Sequence, residues 1–380
     1  MSTYDYIIIG AGASGLLLAD ALGRDTFFKD KSILLLDKSD KSSNDRTWCF
    51  WEKGSGPFDD ILYKTWSKIH FAGKHVNRKT DIRPYSYKMV RGIDFYQHFL
   101  GNLKSYANVG FQLDDIEFIK ESHDEVHIKG KKNSYSALQV FDSRFDYEKL
   151  KEESKYPVLQ QHFLGWFVKT DQPVFDVETP TFMDFSIAQN GNTRFMYVLP
   201  FSKHEALVEY TLFSGKVLKK EEYENAIKDY LSETLGVGDY DITEVEQGNI
   251  PMSSYNFSKK NTSRILKIGI AGGWAKASTG YTFFNTTKRV KKLVEFLKSG
   301  VPLSKFEGKT RFWWYDLLFL DVLHQNNHLG SIVFESLFRK RKPQLILKFL
   351  DQDTNPWEEL QIMWSCPKLL FTKALWNRVF

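Results

Sequence analysis

Cysteine is nearly absent, with Cys49 and Cys366 the only two among 380 residues. Two thiols make neither a disulfide framework nor a zinc ligand set, so the fold must rest on its core, and the chain suits a reducing compartment. Long apolar runs are missing too. A membrane-spanning helix needs roughly 20 uncharged apolar residues. The nearest approach, Phe312 to Leu323, is interrupted by Asp316 and Asp321. Met1 to Tyr6 carries Asp5 and no basic side chain, which argues against a secretory leader. Charge of one sign is scarce as well: 52 Lys and Arg face 47 Asp and Glu, a net charge of +5. So small and scattered an excess speaks against nucleic acid as a partner. It is compatible with contact to an anionic membrane surface. Internal repeats and low-complexity segments are also lacking.

Aromatic residues are abundant, at 16% of the chain with 10 Trp and 31 Phe. They imply a large aromatic core, an apolar pocket, or both. The length allows a second subdomain. Tyr6 to Ile9 reads as a short strand, Leu16 to Leu22 as an apolar helix, and Ile33 to Leu36 as a second buried strand. That order is the opening βαβ unit of a parallel sheet. Asp94 to Tyr106 has helical spacing, Val109 to Ile128 alternates like antiparallel strands, and Ala137 to Phe141 reads as a buried strand. From Gly165 to Phe213 successive β-rich runs dominate, as in a mixed or antiparallel sheet. Val217 to Leu235 and Phe284 to Leu297 read as helices, and helices punctuated by Pro343, Pro356 and Pro367 follow Phe312. The expected architecture is α/β with an inserted β-rich domain: a split nucleotide-binding domain (residues 1–150 and 245–300), a β-rich substrate domain (151–244) and a helical C-terminal region (301–380).

The strongest local signal is Gly10-Ala11-Gly12-Ala13-Ser14-Gly15, lying between a strand and a helix. In that context Gly10 makes the tight turn, Gly12 lets the backbone approach a pyrophosphate, and Gly15 allows close helix–strand packing. The helix N-terminus turns its positive end to the phosphates. Asp37, 22 residues beyond Gly15 at the end of the next strand, is placed to accept hydrogen bonds from a ribose. A second glycine segment far downstream, Ile268 to Gly273, favours FAD over NAD, with Gly272 and Gly273 as candidate contacts. Ile270 stands where such segments usually carry an acid.

Several segments, in order, resemble the lycopene β-cyclase family of carotenoid biosynthesis. Asn44-Asp45-Arg46-Thr47-Trp48-Cys49-Phe50-Trp51 looks like a segment of the bacterial enzymes. Val140-Phe141-Asp142-Ser143-Arg144, Phe182-Met183-Asp184-Phe185, Arg194 to Ser202, Leu207-Val208-Glu209-Tyr210-Thr211, Gly248-Asn249-Ile250-Pro251-Met252 and Ala271 to Tyr281 continue the series. The resemblance implies a fold related to glutathione-reductase-type flavoproteins, with FAD in its reduced form and NAD(P)H as reductant. It implies cyclisation of the linear ψ-ends of lycopene to β-rings without net redox change. It also points to Arg46 and Asp142 as cofactor contacts, to the cytoplasmic face of a membrane as the place of action, and to other carotenoid enzymes as neighbours.

That reaction needs an acid in an apolar cavity, where a carboxyl stays neutral and can protonate carbon. It also needs aromatic faces to stabilise a cation without trapping it. Glu209 is the first candidate, in a strand with Leu207 and Thr211 on its face. The family motif has a second acid beside it, but here that residue is Tyr210. Asp184 is the second candidate. Trp48 and Trp51 are candidates for the cavity wall. His324 and His328 have helical spacing near Asp321, yet no third ligand follows, so no metal site is expected. Two rivals share these signals: an FAD-dependent reductase or monooxygenase acting on an isoprenoid or lipid, and a non-catalytic flavin- or carotenoid-binding protein.

Overall fold

The structure is a computed structural model that describes residues 3–379. Met1 and Ser2, read above for a leader, lie outside the described residues.

The chain opens with strand Thr3–Ile9, helix Ala13–Arg24 and strand Ile33–Asp37, the two strands pairing in parallel. All five residues of Ile33–Asp37 are buried, as a strand covered on both faces requires. Ser134–Asp142 flanks the first strand in parallel. Val109–Leu113 flanks Ile33–Asp37, also in parallel. The antiparallel reading of residues 109–128 therefore holds for Ile116–Glu121 and Val126–Gly130 but not for Val109–Leu113. That strand follows the helix Gly92–Leu103, and a helical crossover returns the chain in the parallel sense. The hairpin pairs with the first half of Ser134–Asp142. Ile265–Lys267 pairs in parallel with Val140, Phe141 and Asp142 in the second half. In this way the late segment rejoins the first sheet.

The second sheet has the order Tyr240–Ser253, Val158–Thr170, Glu205–Ser214, Thr193–Pro200, Thr181–Asp184, Lys68–Gly73, Val76–Asp81. Two segments thus depart from the expected boundaries. Residues 68–81, expected in the nucleotide-binding part, extend the second sheet because Lys68–Gly73 pairs with Thr181–Asp184. Tyr240–Ser253, partly assigned beyond the boundary at 245, pairs along the whole of Val158–Thr170. A three-stranded sheet, with Tyr85–Arg91 between Thr47–Lys53 and Lys64–Trp66, joins the two layers.

Alternation along the second sheet separates two cores, as the period of two in a strand dictates. Ala206, Val208, Tyr210 and Leu212 pack with Tyr223, Ile227 and Tyr230 of the segment that begins as helix Lys220–Asp229. Leu207 and Phe213 turn the other way, toward Phe195, Phe182 and Phe334. The C-terminal helices close one end of that second core, where Phe338 stacks on Phe71 at 4.1 Å. Among the described residues no helix is long and apolar enough to cross a membrane.

A candidate active site between the glycine turn and the second sheet

The first strand is followed by Gly10, whose φ of +99° is costly for any residue with a β-carbon. A β-carbon on Gly15 would lie 1.9 Å from the Gly10 carbonyl oxygen, so the helix can pack on the turn only with glycine there. Gly12 differs: nothing lies within 4 Å of the β-carbon it lacks. It begins the helix without a side-chain cap and lines a cavity of about 420 Å³ together with Ala13 and Ser14. Uncapped N–H groups beside open space are what an anionic ligand requires.

Asp37 organises this turn from behind. Its carboxylate accepts the Ala11 N–H at 2.6 Å and the Ser39 N–H at 2.8 Å, and it pairs with Lys41 at 3.2 Å. Lys41, which reaches the cavity wall, was missed in the sequence. Arg46 is also on the wall. It bonds the backbone carbonyl of Asp45, whose carboxylate is occupied by the Tyr96 hydroxyl.

Three cofactor candidates sit elsewhere. Asp142 is fully buried off the wall and holds Arg144 at 3.0 Å and Lys267 at 2.6 Å, tying its strand to Ile265–Lys267. Burial pushes its carboxyl up, but the two cations outweigh this and hold it below the usual range. Its neighbour Ser143 lines the cavity in its place. Gly272 and Gly273 line a separate hollow of about 120 Å³. They are glycines for the turn itself: a β-carbon on Gly272 would meet the Lys267 carbonyl oxygen at 2.2 Å, and Gly273 has a φ of +71°. Within the same segment, Gly269 and Ile270 face the cavity with Gly12.

The far end of the cavity is formed by the second sheet and is aromatic, with Phe163, Phe182, Phe195, Phe213, Tyr197 and Tyr281 on its walls. Trp48 is on the wall and stacks on Phe283, whereas Trp51 stands behind it, edge-on to Tyr281. Cys49 faces the cavity, but burial pushes its thiol up to about 12, which leaves it unreactive. The Tyr87 and Tyr197 hydroxyls bond each other at 2.6 Å.

Glu209 projects into this aromatic end from Glu205–Ser214, on the face shared with Leu207 and Phe213. The Thr211 hydroxyl donates to its Oε1. Burial pushes the Glu209 carboxyl up to about 8. The Thr211 contact opposes the rise and the nearby Glu246 adds to it. Asp184 is not on the wall. It accepts the Tyr230 hydroxyl at 2.8 Å and both the N–H and the hydroxyl of Ser186. It faces the helix-covered side of the sheet, where it fixes the end of its strand, and so it is not brought to Glu209.

The carboxylate that is brought there is Glu246, buried on the wall in strand Tyr240–Ser253. The Thr47 N–H and hydroxyl both donate to it. Burial raises its carboxyl above the usual range, and these two bonds and Arg46 offset only part of that rise. Sequence reading passed over Glu246, although it lies one β-period before Gly248, the first residue of a segment that had been singled out. Asp321, beside the two histidines, is held by Arg378.

A profile of the lycopene cyclase protein family matches residues 5–375. The chain belongs to the lycopene cyclase family. A curated relative, the lycopene beta-cyclase of Paracoccus sp. (strain N81106 / MBIC 01143), is 30% identical over 129 residues, or 32% of this chain. The matched region is about a third (32%) of that relative's length. Among solved structures, a flavoprotein/dehydrogenase from Cytophaga hutchinsonii aligns over 99% of this chain and 100% of its own, with a TM-score of 0.66 and 12% identity. A geranylgeranyl bacteriochlorophyll reductase-like protein from Thermoplasma acidophilum aligns over 98% of each chain, with a TM-score of 0.62 and 12% identity. The flavin-dependent brominase Bmp2 aligns over 99% of each chain, with a TM-score of 0.59 and 13% identity. At such identities the likeness concerns the fold: this lycopene cyclase family member has the α/β, Rossmann-like architecture of these proteins, with a helical C-terminal region.

Proposed function

We propose that the chain is an FAD-dependent lycopene β-cyclase, which converts the ψ-ends of lycopene into β-rings by a proton-initiated isomerisation. The observation that carries this reading is Glu209. Its carboxyl, pushed up to about 8, faces an aromatic cavity whose other end is the uncapped glycine turn.

The residues present fit FAD. The open side of Gly12, the bare N-terminus of helix Ala13–Arg24 and the cations Lys41 and Arg46 suit a pyrophosphate. Gly269 brings the late segment beside Ser14. Reduced flavin bound there, with NAD(P)H as its reductant, supplies negative charge to face a cation. The remaining steps belong to the chain. Neutral at pH 7, Glu209 donates its proton to the terminal alkene carbon. The aromatic walls exclude water, which would trap the tertiary cation, and supply π-electron density that stabilises it. An internal alkene closes the ring, and loss of a proton sets the ring double bond.

The substrate is a C40 hydrocarbon that partitions into bilayers. Exposed Trp357, Trp364 and Leu369 on the C-terminal helices, with Lys368 over the Trp364 ring at 4.3 Å, suit peripheral contact with an anionic membrane face. Expression in cells that accumulate lycopene, followed by pigment chromatography, tests the reading. The expected product is β-carotene or a one-ended intermediate. Unchanged lycopene at full flavin content counts against it. A reduced isoprenoid formed with stoichiometric NAD(P)H consumption selects the reductase reading, which shares this fold.

A further inference from the structure

Ring closure on a carbon skeleton needs two proton transfers at different carbons: one delivers a proton and one removes it. Glu209 accounts for the first. The second sheet brings another carboxylate into line with it. In the strand register, Tyr197 opposes Glu209, Glu209 opposes Gly165, and Gly165 opposes Glu246. Directly opposed residues point to the same face of a sheet, so these four form one row across four adjacent strands. Tyr197, Glu209 and Glu246 all line the cavity. Neighbouring strands lie about 4.8 Å apart, which sets the two glutamate backbones about 10 Å apart with one strand between them.

Gly165 is the residue on that strand. A β-carbon there would lie 2.8 Å from Leu207 Cδ1 and 3.3 Å from Glu209 Cβ. Any side chain would also project into the gap between the carboxylates. Glycine lets Leu207 and the Glu209 stem pack over the strand, and it puts no side chain of its own between the two acids.

The two glutamates are held differently. Glu209 receives a single side-chain hydrogen bond, from Thr211. Glu246 receives two, from the Thr47 N–H at 2.9 Å and from the Thr47 hydroxyl. Donors favour the charged form of a carboxyl. Burial is the largest influence on Glu246 and leaves its carboxyl above the usual range; the Thr47 donors and Arg46 work against that rise, and Glu244 adds to it. Cys49, Tyr87, Tyr197 and Tyr281 are the other titratable groups on the wall near Glu209, all with their protons held on by burial.

We propose that Glu246 is the base of the reaction, paired with Glu209 as the acid across Gly165. This rests on the lycopene-cyclase reading. The Glu209 O–H bond breaks as a C–H bond forms at the terminal alkene carbon. The internal alkene then closes a C–C bond, and the ring carbon so formed loses its proton to the Glu246 carboxylate as the ring double bond appears. The substrate gains one proton and loses one, with no electrons exchanged. Glu209 is left ionised and Glu246 protonated, and solvent restores both before the next turnover.

The test uses the flavin-loaded full chain with lycopene in vesicles, in D₂O. Glu246→Gln is expected to keep its flavin, to lower ring formation about 10²-fold, the range common for general acid–base groups, and to yield mixed positions of the ring double bond. Deuterium should still enter the product, because Glu209 remains. Glu209→Gln, by contrast, should leave lycopene linear and unlabelled. If Glu246→Gln fails to fold, Thr47→Val serves instead. It removes one donor from Glu246, raises its pKa, and moves the acid limb of kcat/KM to higher pH. A wild-type rate and a single ring isomer from Glu246→Gln, or an unmoved acid limb in Thr47→Val, overturns the proposal while the cyclase reading stands. Linear lycopene from the flavin-loaded wild type overturns both.

Discussion

A β-carbon on Gly269 would lie 2.6 Å from the Ser14 hydroxyl oxygen, with Gly269 itself at a φ of +60°. The late glycine segment therefore touches the first helix only because it has no side chain there. Gly269→Val is expected to destabilise the fold by about 1–3 kcal/mol and to lose flavin with it. Gly12→Val meets no protein atom and should fold normally, yet its side chain occupies the space a pyrophosphate needs. Denaturation midpoints measured beside flavin absorbance separate the two. Full flavin occupancy in Gly12→Val would show that the turn does not hold the cofactor.

Glu209 carries a stability cost with its function. Its carboxyl rises from 4.5 to about 8 on folding, so the folded state holds a proton that the unfolded chain has released. The fold is most favoured below pH 4.5 with respect to this group, and it loses stability as pH rises toward 8. Glu209→Gln removes that penalty. At pH 7.5 the variant is expected to be more stable than wild type, on the order of 2 kcal/mol, while cyclisation falls by about 10²-fold or more. In the wild type, turnover should decline as pH passes through 8 and the proton is lost. Urea titrations and initial rates across pH 6–9 check both signs.

Asp184→Asn should behave differently. The carboxylate satisfies Tyr230 and Ser186 on the side of the sheet away from the cavity. Weakening that network is expected to cost about 1–3 kcal/mol of stability, with turnover per flavin-loaded molecule near wild type. A loss of turnover in fully folded, flavin-loaded Asp184→Asn would return this residue to the chemistry.

Membrane contact predicts a third pattern. Replacing Trp357, Trp364 and Leu369 by serine removes exposed apolar area without touching the core. Co-flotation with anionic vesicles at low salt should fall by about tenfold or more, with activity on detergent-dispersed substrate retained. Equal flotation of the triple variant and wild type would place the contact elsewhere.

What the sequence determined by itself was local. A glycine turn between a strand and a helix needs only neighbouring residues, and Gly10, Gly12 and Gly15 lie where that spacing required. Glu209 could be read because it stands in the segment Leu207 to Thr211, which resembles the acidic motif of the cyclases. Other assignments depended on partners far along the chain. Asp142 became an ion-pair anchor because Lys267 arrives beside it 125 residues later. Gly272 and Gly273 turned out to shape their own turn, while Gly269 faces the ligand space. Only the tertiary structure could show Glu246 in line with Glu209. Strand register is set by pairing energies spread over Val158–Thr170 and its two neighbours, and a slip of one residue would have turned either glutamate to the opposite face.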